Sequence, residues 1–326
     1  MGEPLNATFF TLKKRDRGVL LPATFIMVVL MALIIALFVA FNWAFFGQLI
    51  EVVRSGQSQP MDDEQGARFA FGLLGMVVSV FLFLIPFYLV LAAYEAACLR
   101  WMIRGEAPGL FGITFNHDTW RVYGVYWCWL IAQFAVSMAV SMLTMPIMFM
   151  MMGDMVAAGS EPTSPEWWNL QMRMQSLSLL QYIPLAFIGI RLGPAAATSI
   201  ARKRFSFFDA WVVTRDRFWA LLGSYVLLWF VCGLLVTVLV GGFWAYMAGD
   251  ALSELIRAPT ADHTETLSQI LERVWTTQGL IWAGGTYAAN IAIYLVYALM
   301  SYGINSRAAL AALEEGKISV HQGDDD

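Results

Sequence analysis

Six long apolar runs, separated by short polar segments, dominate the hydrophobic pattern of the chain. They cover residues 19–49, 69–99, 122–152, 179–200, 218–247 and 280–304. A helix needs about 20 mainly apolar residues to cross the roughly 30 Å of hydrocarbon in a bilayer, and every run reaches that length. The pattern therefore predicts an all-α, polytopic membrane protein: about six transmembrane helices over residues 19–304, with tails at 1–18 and 305–326.

The amino-acid composition indicates a bilayer rather than water as the surrounding solvent. Hydrophobic residues make up 59% of the 326 positions, and charged residues make up only 13%. Soluble domains average about 45–50% apolar and about 25% charged residues. A soluble domain of this size could not bury so much apolar surface, so the composition excludes the soluble classes of protein.

The lysine and arginine residues are concentrated on one side of the predicted bundle. Fourteen of the 20 lie in the two tails and in the segments that follow the second and fourth runs. Five lie in the other connecting segments, and Arg191 lies inside the fourth run. Because cytoplasmic loops carry the excess of positive charge, we expect both termini to be cytoplasmic.

Two stretches of the sequence, residues 92–131 and 193–229, are similar to each other. Each runs from an alanine-rich helix end through basic residues to a short segment with Phe, Asp and Trp, and then into the next helix. The sixth run ends in a similar alanine-rich segment. This internal repetition predicts repeated helix–elbow–helix units, in which an elbow is the short connection on the cytoplasmic side.

The second elbow combines aromatic with basic residues, as a segment at a membrane interface does. We expect four aromatic side chains to dip into the interface: Phe205, Phe207, Phe208 and Trp211. We expect five basic side chains to contact anionic lipid headgroups, at about 1 kcal/mol each: Arg202, Lys203, Arg204, Arg215 and Arg217. The alternative is an ordinary basic loop that only fixes the orientation of the chain.

The stretch RKRFSFFDAWVVTRDRFWALLGSYVLL resembles the membrane-domain group of the glycerophosphoryl diester phosphodiesterases and related uncharacterised bacterial multi-pass families. The matching residues are Arg215, Phe218, Trp219, Leu221, Leu222 and Gly223. The resemblance implies this architecture and a bacterial cytoplasmic (inner) membrane. Some members carry a separate soluble phosphodiesterase domain, and we expect no segment of this chain to form one. The resemblance therefore transfers no catalytic residue.

Two ionisable residues fall inside apolar runs, where a charge costs at least a few kcal/mol and needs a partner or a purpose. We consider that Arg191 and Glu95, with Gln133 and Asn290, line a polar cavity for an anion or a lipid headgroup. In the alternative, Arg191 is a structural strut that binds Glu95 or carbonyl groups freed by a nearby proline. Glu95 would then pair with Arg100 or Arg202.

Small residues four positions apart mark surfaces on which helices pack closely. Gly189 and Gly193 form such a pair on the fourth run, and Ala92 and Ala96 form one on the second. On a helix, Arg191 faces away from the Gly189 side. We expect the two pairs to pack helices against each other within the bundle.

The sequence contains no recognisable catalytic pattern, phosphate loop or metal-binding motif. Its three cysteines lie far apart and its three histidines lie in separate polar segments, so we expect no metal and no cofactor. We expect a non-enzymatic bacterial inner-membrane protein of structural, scaffolding or lipid-interacting type. Its partners would be membrane lipids, other inner-membrane proteins or a second copy, and not nucleic acid. The alternative is a transporter or channel that uses the polar cavity near Arg191.

Overall fold

The computed structural model describes most of the chain as helix. The described residues are 7–13, 17–54, 63–106, 113–157, 169, 171–173, 175, 176, 179, 180, 182–249 and 273–321. The helices are α1 (Phe10–Lys13), α2 (Leu21–Phe41), α3 (Trp43–Arg54), α4 (Asp63–Arg104), α5 (His117–Ala157), α6 (Tyr182–Leu192), α7 (Ala195–Ala201), α8 (Ala210–Thr214), α9 (Phe218–Ala248) and α10 (Thr277–Glu314). These residues include no strand, which confirms the all-α prediction.

Six helical segments are long and apolar enough to cross a membrane. They are Leu21–Phe41, Gly66–Arg104, His117–Gly153, Tyr182–Ala201, Phe218–Ala248 and Thr277–Glu314. These runs form helices because backbone N–H and C=O groups in lipid must be satisfied within the segment itself. The predicted architecture of six membrane-spanning helices is confirmed.

The fourth span is broken into α6 and α7 at Gly193 and Pro194. Pro194 has no N–H to donate and stands at the N-cap of α7, a position that tolerates proline. A Cβ atom on Gly193 would lie 2.7 Å from the Gly189 carbonyl oxygen and 3.0 Å from the Tyr225 hydroxyl. Only glycine lets the break approach α9 so closely.

The bundle packs most tightly at the end where the elbows lie, which we call the elbow end. Three alanine-rich helix segments meet there, at residues 92–97 of α4, 195–201 of α7 and 308–312 of α10, and their alanines are buried. Small side chains let the helix backbones approach closely, so these segments hold the bundle together.

The other halves of the long helices carry their large apolar side chains on the outside. Phe71 on α4 and Leu143 on α5 are both 75% exposed, and Val238 on α9 is 67% exposed. Such surfaces are costly in water and favourable in lipid. The exposed apolar halves therefore agree with the membrane location that the composition predicts.

The last helix extends beyond the apolar run that predicted it. The run ends at residue 304, but α10 continues to Glu314, and the chain to His321 lies against the second elbow. Residues 305–314 of the expected tail therefore belong to the bundle. Alanine is a strong helix former but adds little hydropathy, so the helix continues beyond the end of the apolar run. Residues 1–6, 14–16 and 322–326 of the two expected tails lie outside the described residues.

Candidate functional site

The second elbow, residues 202–217, joins α7 to α9 and contains the short helix α8. Lys203 follows the end of α7 with φ of 54°, a left-handed conformation that turns the chain away from the helix axis. The backbone N–H of Ser206 donates to the Ser199 hydroxyl over 3.0 Å, which ties the elbow back to α7. The elbow is therefore anchored to the bundle through its own backbone.

The five basic residues expected at lipid headgroups divide into two groups. Three make ion pairs within the protein: Arg202 and Arg204 with Asp209, and Arg217 with Glu315. Lys203 and Arg215 are exposed and make no ion pair with the described residues. Only these two leave their full charge available to a ligand outside the chain.

Four aromatic side chains flank these two charges on the surface. Phe205, Phe208, Trp211 and Trp219 are 49%, 78%, 43% and 79% exposed. Phe207, expected at the interface, is instead buried against Trp129 in the core, because its side chain points toward α5. We call Lys203, Phe205, Phe208, Trp211, Arg215 and Trp219 the elbow surface. Aromatic rings beside cations are typical of the boundary between lipid and water.

Arg191 is a strut that supports the second elbow. Its Nη1 atom donates to the carbonyl oxygens of Thr214 and Arg215, over 3.1 and 3.4 Å. The Thr214 hydroxyl donates in return to the Arg191 carbonyl oxygen over 3.1 Å. Three aromatic rings surround the guanidinium, with centroids at 4.9–5.5 Å: Phe187, Trp211 and Phe218. Such cation–π contacts stabilise this arginine, which has no carboxylate partner in the described part of the chain. The carbonyl groups that Arg191 binds belong to the elbow and not to a proline-broken turn.

Glu95 lies in the packed core of the elbow end, only 5% exposed. Tyr126 donates a hydrogen bond to its carboxylate, and Tyr302 adjoins Tyr126. The arginines that the sequence offered as partners are engaged elsewhere: Arg100 donates to Thr114 over 2.7 Å, and Arg202 pairs with Asp209. Glu95 therefore belongs to a buried carboxyl–tyrosine cluster without a cationic partner among the described residues.

The four residues proposed to line one polar cavity lie in four different surroundings. Arg191 faces the second elbow, and Glu95 is buried between α4, α5 and α10. Gln133 is exposed on the outer surface of α5. Asn290 bonds to the Thr286 carbonyl within α10, over 3.1 Å. Counting residues along a helix gives depth but not the direction of a side chain, and direction separates these four.

The packing residues lie on helix surfaces that contact other helices. Ala92 and Ala96 are fully buried in the same core cluster as Ala195 and Ala197 of α7. Gly189 and Gly193 face α5 and α9 and form one wall of a cavity of about 420 Å³. The other walls come from α9 and α10 and include Tyr225 and Asn305.

Sequence reasoning missed this cavity. Tyr225 and Asn305 are polar residues at the elbow end of the fifth and sixth runs, but Ser224 and Ser301 beside them give the same signal. In the structure Tyr225 donates to the Asn305 side-chain oxygen. Asn305 is only 6% exposed. A second cavity of about 440 Å³ follows between α9 and α10, and Trp229 and Tyr297 line both. The two cavities together form a groove along α9 and α10, which we call the α9–α10 groove.

Within the described part of the chain, no three His, Cys, Asp or Glu side chains are grouped so that they could hold a metal ion. Cys98 and Cys232 are buried, and none of the three cysteines forms a disulfide. Comparisons with models of known protein families, with curated proteins and with solved structures found no match. The resemblance of the second elbow to a membrane-domain family therefore stays a hypothesis.

Proposed function

We propose that the chain is a non-enzymatic, lipid-interacting protein of the bacterial inner membrane, with both termini and both elbows on the cytoplasmic side. The elbow surface is the observation that carries this proposal. It places two unpaired cations, Lys203 and Arg215, among four exposed aromatic rings at the basic end of a helical bundle. This arrangement fits the layer of headgroups and glycerol at the surface of a bilayer.

The charges of the elbow surface give a measurable preference for anionic lipid. A lysine or arginine near an anionic leaflet contributes about 1 kcal/mol. Two such charges contribute about 2 kcal/mol, which corresponds to roughly a 30-fold preference. The three paired arginines contribute less, because Asp209 and Glu315 offset two of their three positive charges. The pairing thus reduces the expected headgroup contacts from five to two.

A transporter or channel that uses a polar cavity near Arg191 has less support. Arg191 binds the second elbow and is not among the residues that line the α9–α10 groove. The buried carboxyl of Glu95 is held by Tyr126 inside the packed elbow end and lines neither of the two described cavities. A scaffold that contacts lipid through its surface accounts for these positions better.

Lipid retention measured by native mass spectrometry tests the proposal. The full-length protein is released from nanodiscs of mixed phosphatidylethanolamine and phosphatidylglycerol, and the bound lipids are counted. Lys203→Gln combined with Arg215→Gln should lower the preference for phosphatidylglycerol roughly 30-fold. Arg173→Gln removes one exposed positive charge from a segment away from the elbows and should lower the preference by about fivefold at most. An unchanged preference in the double variant would overturn the proposal.

The orientation is tested separately by labelling single cysteines. Cys98, Cys128 and Cys232 are first replaced by alanine or serine, and Ser319→Cys is introduced beside the second elbow. A membrane-impermeant maleimide should label this cysteine only after the inner membrane is opened. Labelling in intact spheroplasts would place the elbows outside and contradict the proposed topology.

A further inference from the structure

The α9–α10 groove runs between two membrane-spanning helices and begins near the break in the fourth span. At its elbow end it is lined by Gly193, Tyr225 and Asn305, and farther along by Cys232, Val236 and Asn290. Along its edge, Val226, Trp229 and Tyr294 are exposed on the outside of the bundle. The groove is therefore open sideways toward the medium that surrounds the helices, which for these spans is lipid.

The groove is polar at one end and mainly apolar along the rest. At the elbow end, the Tyr225 hydroxyl donates to the Asn305 side-chain oxygen. That bond leaves the Asn305 amide N–H groups without a hydrogen bond to the described residues, and Asn305 lines the cavity. An amide N–H donates to a neutral acceptor such as an ester carbonyl, and it does not require an anion. The farther cavity is lined almost wholly by apolar surface, apart from Asn290.

The length of the groove matches one leaflet of a bilayer. Tyr225 and Val236 are eleven residues apart on α9, which corresponds to about 16 Å at 1.5 Å per residue. Half of the roughly 30 Å hydrocarbon thickness is about 15 Å. An acyl chain anchored by its ester at Tyr225 and Asn305 would reach the farther cavity near the middle of the bilayer.

The volume of the groove is too small for a fully seated helix and favours a narrower occupant. The two cavities measure about 420 and 440 Å³. A seated helix about 10 Å in diameter would need more than about 1,000 Å³ over the same length. Each cavity lies within the size range of ordinary ligand pockets, about 300–1,000 Å³. A single lipid chain is an occupant of suitable size.

We infer that the α9–α10 groove binds one glycerolipid from the leaflet on the elbow side, with the ester region at Tyr225 and Asn305 and one acyl chain along the groove. This site is distinct from the elbow surface. It recognises the chain and ester rather than the headgroup charge, so it holds a zwitterionic lipid as well as an anionic one. A tightly held lipid of this kind would behave as a structural part of the bundle.

Two matched leucine substitutions test this inference. A Cβ atom on Gly189 would meet only the Trp129 ring, at 4.0 Å, so Gly189→Leu is tolerated by the backbone and fills the groove. Gly223 on α9 is exposed and has no atom within 4 Å of such a Cβ, so Gly223→Leu extends into lipid instead. Both variants place the same side chain on a membrane-spanning helix, and only one of them blocks the groove.

The measurement is native mass spectrometry of full-length protein loaded with phosphatidylethanolamine alone. The wild type and Gly223→Leu should retain one lipid under activation that strips loosely bound lipids, whereas Gly189→Leu should lose it. Tyr225→Phe removes the hydroxyl that orients the Asn305 amide and should lower retention by about five- to tenfold, the effect of one hydrogen bond. Because Tyr225→Phe keeps the ring, it leaves a readable result if Gly189→Leu fails to fold.

Equal retention in all four proteins, or no retained lipid in the wild type, would overturn the inference. The double variant Lys203→Gln and Arg215→Gln separates this inference from the proposed function, because it removes the charges of the elbow surface and leaves the groove intact. Those substitutions should leave the retained phosphatidylethanolamine unchanged while lowering the preference for phosphatidylglycerol roughly 30-fold. Failure of the groove and failure of the elbow surface therefore give different results.

Discussion

The strut formed by Arg191 leads to a quantitative prediction about the second elbow. Arg191→Met keeps the length and apolar character of the side chain but removes the guanidinium. The lost contacts are the hydrogen bonds to the Thr214 and Arg215 carbonyls and the cation–π contacts with three rings. Hydrogen bonds to a charged group contribute about 1.5–3 kcal/mol, and cation–π contacts about 0.5–2 kcal/mol.

The net effect is smaller than the sum of these contributions. The two carbonyl groups share one nitrogen atom, so they count as about one hydrogen bond. Removing a partly buried charge also recovers some of its desolvation cost. We therefore expect a loss of about 2–3 kcal/mol in the stability of the elbow, which is a 30- to 150-fold increase in local opening. The local opening of the elbow in Arg191→Lys should lie between that of the wild type and that of Arg191→Met. Lysine keeps the positive charge but lacks the planar guanidinium group.

Hydrogen–deuterium exchange in nanodiscs measures local opening directly. The amides of residues 206–217 should exchange roughly 30- to 150-fold faster in Arg191→Met, while those of α2 and the elbow-end half of α4 should not change. Arg307→Met is the matched control, because its pair with Glu314 is a surface pair worth about 1 kcal/mol or less. If both methionine variants leave the elbow equally protected, Arg191 does not support it and the reasoning fails.

Two further predictions concern the break in the fourth span and the carboxy-terminal segment. Gly193→Ala places a Cβ atom 2.7 Å from the Gly189 carbonyl and should lower stability by about 1–3 kcal/mol in a detergent unfolding titration, with Gly223→Ala as the neutral control. At the carboxy terminus, Lys317 donates to Asp216 and Glu315 and lowers the pKa of both carboxyl groups. Their contribution is complete above the ordinary values of 3.8 and 4.5 and disappears as the pH falls through the lowered values. Proteolysis of residues 315–321 should therefore increase only in acid, and a segment that is cleaved equally at every pH would contradict this role for Lys317.

The sequence could predict the elbows because each elbow is built from neighbouring residues. The similarity between residues 92–131 and 193–229 locates the two connections, and both are connections between helices in the structure. The same local reading failed for Phe207, which is buried although the other two phenylalanines of the elbow, Phe205 and Phe208, are exposed. Whether one ring of an aromatic cluster faces lipid or core depends on the helix packed beside it, in this case α5.

The α9–α10 groove and the buried polar contacts were harder to predict, because their residues come from helices far apart in sequence. Tyr225 and Asn305 are 80 residues apart, and each alone is an ordinary polar residue near a helix end. Glu95 and Arg191 stood out by their charge, but charge gives no information on rotation about the helix axis. The partners of Glu95 and Arg191, Tyr126 and the Thr214 carbonyl, became visible only in three dimensions.

The sequence by itself determined that there would be six membrane-spanning helices, because length and hydropathy are properties of a continuous segment. In lipid, the backbone N–H and C=O groups of such a segment must form hydrogen bonds with each other, which requires a helix. Tertiary structure alone decided which faces meet. Small residues at 92–97, 195–201 and 308–312 let three helix ends pack closely, and this packing leaves the α9–α10 groove open beside them. The physical reason is that hydropathy determines whether lipid or water surrounds a helix. The volumes of its side chains and its rotation about its own axis determine which helices it packs against.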